Sequence, residues 1–209
     1  MKLDELLESV RRARSVLVVG LFLLSPLTSR AAGEPTTLAE LNAWYPAVPA
    51  SQNAAMIYAD AFGSLPGNSS DPTPALAVSQ KPLALLHRAA EFSKCRYPID
   101  LTFGFQTELP HLAKIKETSE LLKLEAIANA SKGRADLAVQ SIQSGLAVAR
   151  SLEQEPVLIS QWVRSRAIDI TISALEQSLW KKAFSDQQLI AVQASLKAAE
   201  TNDTTAYRR

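Results

Sequence analysis

The sequence predicts an all-α protein: helical hairpins packed as a bundle or a short repeat-like array, with a proline-rich N-terminal part. Three observations carry that prediction. Apolar residues recur at helical spacing through most of the chain after Leu109. Of the 11 prolines only Pro156 lies beyond Pro110, so helices should be short and interrupted before that point and long after it. Cys95 is the single cysteine, which rules out an internal disulfide framework and leaves apolar packing to hold the fold.

Residues 1–31 have the layout of a secretory signal. Residues 16–24 read V-L-V-V-G-L-F-L-L, preceded by Arg11, Arg12 and Arg14 and broken by Pro26. Ser29 and Ala31 are the small residues a signal peptidase would read, which predicts a mature chain starting at Ala32. Asp4, Glu5 and Glu8 lie ahead of the run and argue against a mitochondrial presequence. The apolar run is shorter than the roughly 20 residues that span a bilayer. The expectation is export to a periplasmic or extracellular space, with an uncleaved membrane anchor through residues 16–27 as the alternative. The membrane would then be met only through this N-terminal segment.

Removing five of the 22 basic and three of the 21 acidic residues leaves 17 and 18. That balance, without a basic stripe, excludes a nucleic-acid surface.

Residues 32–109 should hold short helices and extended connectors. L-N-A-W-Y-P-A-V-P at residues 41–49 predicts a short turn and a proline-fixed extended stretch. Ser51 or Asn53 can cap a helix over residues 54–65, with Ile57, Tyr58, Ala61, Phe62 and Leu65 at helical spacing. P-G-N-S-S-D-P at residues 66–72 is a surface loop. Pro82 suits the first turn of a helix running to about Ser93. C-R-Y-P-I-D-L-T-F-G at residues 95–104 has a central proline and a terminal glycine; it predicts an extended connector lying against helices, not a sheet strand.

Residues 110–209 form the long-helix region of the same domain. Helices are predicted over residues 110–131, 135–152, 157–182 and 186–200. K-G-R at residues 132–134 places a glycine at a helix end. Ala138, Ile142, Gly145, Ala149 and Leu152 make a narrow stripe that permits close helix approach. The third long helix is apolar over a wide arc, including Leu158, Ile159, Trp162, Ile172 and Leu175. That predicts the most buried helix of the molecule, with Trp162 as its anchor. Ser185 followed by Gln188 fits a capping box. The chain ends on T-A-Y-R-R, which predicts a truncated last hairpin and an exposed apolar patch around Leu179, Trp180 and Phe184.

Residues 121–152, with small residues in a first helix, a K-G-R-A-D turn and an alanine-containing second helix, are locally similar to a tetratricopeptide hairpin. W-Y-P-x-V-P at residues 44–49, N-A-A-x-x-Y-x-x-A-F at 53–62, C-R-Y-P-I-D at 95–100, L-P-H-L at 109–112 and E-P-V-L-I-S-Q at 155–161 cover more of the chain. Together they resemble a group of exported bacterial all-helical proteins of no assigned activity. That resemblance implies a fold and a destination but no reaction.

Motifs for catalysis are absent. Glu108 and His111 have the E-x-x-H spacing of half a di-iron site, but no second copy exists and Pro110 interrupts this one. No H-E-x-x-H or cysteine pair is present, so no metal or other cofactor is expected. Arg164, Arg166 and Asp169 on the third long helix, with Asp100, are candidates for a core ion pair or a ligand-binding groove. Trp44 and Tyr97 are candidate groove aromatics. The leading expectation is a binding or scaffold module for a peptide or protein partner. The alternative is an enzyme with an acid/His cleft drawing on His87, His111 or Cys95. An elongated groove favours the first; ionisable groups converging in a concave site favour the second.

Overall fold

The computed structural model describes residues 35–66, 72–181 and 184–201. Among them every regular element is helical: α1 Leu38–Trp44, α2 Ala55–Gly63, α3 Pro72–Val78, α4 Gln80–Ala90, α5 His111–Ser131, α6 Ala135–Arg150, α7 Leu158–Leu179 and α8 Asp186–Thr201, with 3-10 turns at Ala50–Gln52 and Leu101–Gln106. The all-α prediction is met. The signal or anchor expected at residues 1–31 lies outside the described residues. No helix among the described residues is long and apolar enough to cross a membrane.

Local chemistry sets the ends. Thr37 and Glu40 form a reciprocal capping box that starts α1. Gly133, at φ +69°, turns the chain after α5, and Arg134 N–H then bonds the Asn129 carbonyl at 2.9 Å. Ser185 and Gln188 bond each other reciprocally ahead of α8, as the capping box required. Residues 95–100 join no sheet, and an Ile99 N–H bond to the Tyr97 carbonyl at 2.9 Å closes a tight turn over Pro98. They are pinned instead by Asn53, whose side chain donates to the Arg96 carbonyl at 3.0 Å and accepts from Arg96 N–H at 2.9 Å.

The helices pack in two linked series. One runs α2–α5–α7 and the other α4–α6–α8; α2 also packs on α4, and α6 lies against both α5 and α7. Buried Leu86, Ile115, Leu122, Ile142, Leu152, Ile172 and Leu175 centre the shared core. The approach of α6 to α7 is closest at Gly145, where a Cβ would stand 2.6 Å from Thr171 Oγ1. That contact is what the small-residue stripe allows.

Two expectations fail: the short turn read before Pro46, where Leu38–Trp44 is helical, and the anchor of α7. Trp162 is 49% exposed and does not anchor the core, and Leu158 and Ile159 are exposed beside it. The inward stripe of α7 runs instead through Ser160, Arg164, Ala167, Thr171 and Leu175, all buried. Trp162 sits two residues beyond Ser160, roughly 200° around the helix, on the opposite side. Near the C-terminal end, Trp180 is 84% exposed while Leu189 and Leu196 are buried.

Candidate functional site

The six residues nominated from the sequence occupy separate places. Asp100 is exposed and caps the 3-10 turn at Leu101–Gln106, accepting from the amide and hydroxyl of Thr102 at 3.0 and 2.6 Å. Those bonds hold its carboxyl below the usual range. Trp44 is half-exposed at the end of α1. Tyr97 is buried, its phenol 2.9 Å from Ser151 Oγ. Arg164 is buried and donates to the Ala199 carbonyl at 3.4 Å. Arg166 is exposed and Asp169 half-buried one turn apart on α7. None of the six lines either cavity described below.

Two clusters that sequence spacing did not reveal are present, each built from a histidine, a glutamate and serine hydroxyls. The first is closed. His111, at the start of α5, places Nε2 2.9 Å from Glu155 Oε2, and Ser160 donates to Glu155 Oε1. The His111 and Glu155 side chains are 7% and 0% exposed. Tyr97 stacks on the His111 ring at 4.2 Å between centroids. The Tyr45 phenol oxygen accepts the Tyr97 N–H at 3.2 Å. Burial first, then the neighbouring Glu155 charge, raise the Tyr45 phenol well above its ordinary value. Cys95 borders the same cluster, and burial pushes its thiol up to about 12. A thiol so shifted stays protonated at neutral pH and is a poor nucleophile.

The second cluster opens to solvent. His87 on α4 places Nδ1 2.8 Å from Ser144 Oγ on α6 and Nε2 3.0 Å from Glu125 Oε2 on α5. Ser141 Oγ also meets Glu125 Oε2 at 2.8 Å. The His87 and Glu125 side chains are 17% and 19% exposed. Glu125 on Nε2 and Ser144 on Nδ1 hold the ring from both sides.

His87 and Ser144 line a cavity of about 530 Å³ between α4, α6 and α8, together with Gln140, Gln143, Leu146 and Ser195. A second cavity of about 580 Å³ is walled by the extended segment Pro46, Ala47 and Val48, by Phe92 to Cys95, and by Glu153 and Gln154. Glu91, Arg150 and Ala198 line both cavities. The two therefore adjoin at these residues, and together they are the groove over the C-terminal half of α6.

The groove is lined by side chains that both donate and accept. Gln143 donates to Ser195 Oγ at 3.3 Å across it, from α6 to α8. Gln140 and Gln143 each bring an amide, and Ser144 and Ser195 hydroxyls, to the same stretch. Among the described residues no group of three or more histidines, cysteines and acids could hold a metal ion.

No protein-family model matches the chain, no curated protein matches its sequence, and no solved structure matches its fold.

Proposed function

We propose that this protein is a binding module whose groove over α6 holds an extended peptide segment of a partner protein. The observation that carries the reading is the shape of the groove: two adjoining cavities sharing Glu91, Arg150 and Ala198. An extended chain advances about 3.3 Å per residue and presents N–H and C=O groups along its length. Amide side chains such as Gln140 and Gln143 can serve both kinds of group, since each has donors and an acceptor. Pro46 and Val48 supply an apolar wall at one end. The two linked helix series, α2–α5–α7 and α4–α6–α8, support a repeat-like origin for the groove, because stacked hairpins generate extended binding surfaces.

The test is fluorescence anisotropy of the full chain with a labelled pool of mixed-sequence peptides of about eight residues. Ser195→Trp, which places a large ring in the groove from α8, should abolish binding that the parent chain shows. Binding undiminished by that substitution would remove the groove from the account.

The Ser144–His87–Glu125 chain favours a second reading, an esterase-like enzyme with Ser144 as nucleophile, because hydroxyl, imidazole and carboxylate are linked at 2.8 and 3.0 Å. Against it, Ser144 is 2% exposed and lies inside α6. Backbone N–H groups in a helix interior are already bonded and cannot form an oxyanion hole. A fluorophosphonate probe that labels Ser144 would favour the enzyme; an unlabelled chain that binds peptides would favour the module.

A further inference from the structure

We infer that the groove recognises a carboxylate of its ligand through Arg150. The inference rests on the peptide-binding reading above and specifies what that peptide must carry. Arg150 is half-buried at the C-terminal end of α6, where the two cavities meet. Its guanidinium makes one long bond, Nη2 to the Phe92 carbonyl at 3.4 Å. Glu91 and Glu153 line the same walls, yet no carboxylate of the described residues pairs with it within 4.0 Å.

A guanidinium presents five N–H donors in a planar fork. Its remaining donors reach solvent where the cavities meet, and a ligand carboxylate can take the place of that water. The matching geometry is bidentate, two parallel N–H···O bonds, which a lysine ammonium does not reproduce. Arg150 is thus the specificity residue of the groove, and the Gln140 and Gln143 amides serve whatever backbone lies beside it. The carboxylate can be a peptide C-terminus or an Asp or Glu side chain, since both present the same pair of oxygens.

The experiment uses the full chain and four labelled peptide pools of about eight residues. One has a free C-terminus and contains Asp and Glu. A second keeps the acids but is C-terminally amidated; a third has the free C-terminus and no acids; a fourth has neither. Anisotropy should show the fourth pool binding at least about tenfold more weakly than the first, the scale of one charge-assisted pair. The second and third pools tell which carboxylate is used. Arg150→Gln should erase the difference between pools, and Arg150→Lys should restore only part of it. Equal binding of all four pools by the parent chain overturns the inference while leaving the groove reading intact. A preference that survives in Arg150→Gln, with helix content unchanged by circular dichroism, also overturns it. If no pool binds, the groove reading fails and this inference with it.

Discussion

The two histidine clusters use the same chemistry in different surroundings. His111, Glu155 and Ser160 are sealed where the start of α5 meets the 151–157 connection and the first turn of α7. His87, Glu125, Ser144 and Ser141 link α4, α5 and α6 beside an open groove. The histidine–glutamate separations, 2.9 and 3.0 Å, are nearly equal. What differs is access to water, and that decides what each cluster can do. A sealed pair is a clamp: its groups have no alternative partners, so losing one leaves the others unsatisfied. An open pair can exchange partners with solvent or ligand, so it contributes little stability and is free to serve recognition.

The largest effect should therefore come from the sealed cluster. Glu155→Ala strands His111 and Ser160 and should cost about 3–5 kcal/mol, read as a lower midpoint in urea unfolding. A loss no larger than that of a surface substitution would break the comparison at its stronger end.

Gly145→Ala should come next. The new Cβ would fall 2.6 Å from Thr171 Oγ1 and 3.0 Å from Thr171 Cγ2, and Thr171 is itself bonded to the Ala167 carbonyl at 2.9 Å. Pushing α6 off α7 should cost about 1–3 kcal/mol. Ser144 is the preceding residue, so the open cluster should be disturbed while the sealed one is spared. Histidine ring signals in NMR spectra would show this as a shift of His87 without one of His111.

Glu125→Ala should have a smaller effect on stability, about 1 kcal/mol or less, because water can replace it at His87 and Ser141. A loss equal to that of Glu155→Ala would show that exposure is not what separates the clusters.

Cys95, at the border of the sealed cluster, gives the mildest test. Its thiol is raised from 9.0 to about 12 by burial, so the folded chain keeps a proton that the unfolded chain releases. The stability this contributes is fully present below pH 9 and is lost as pH rises through about 12. Iodoacetamide near pH 8 should react far more slowly with the folded chain than with the urea-unfolded one. Equal rates would mean that burial does not protect the thiol, which also lines the second cavity.

Helical class and the division at Pro110 were legible because proline and apolar spacing act locally. Neither cluster was. His87 meets a serine 57 residues away and His111 a glutamate 44 residues away, and no local pattern encodes such pairings. The E-x-x-H spacing points from His111 to Glu108, which is exposed, whereas the partner is Glu155. Trp162 was misplaced for a related reason. Its size marks it as core, but helical phase is set by the whole inward stripe, which here includes the polar Ser160 and Arg164. The T-x-x-E spacing of Thr37 and Glu40 starts α1 as a helix, where the proline-rich stretch that follows points only to a turn. The groove depends on α8 lying beside α6, a tertiary choice that the amphipathic pattern of α8 does not specify.

The most direct test of the central claim is chemical-shift mapping of the isotopically labelled full chain as a mixed-sequence peptide pool is added. The account predicts shifts that concentrate at Gln140, Gln143, Ser144, Arg150 and Ser195, with the exposed Leu158, Ile159 and Trp162 of α7 unmoved. Shifts confined to that α7 face, with the α6 groove silent, would contradict it.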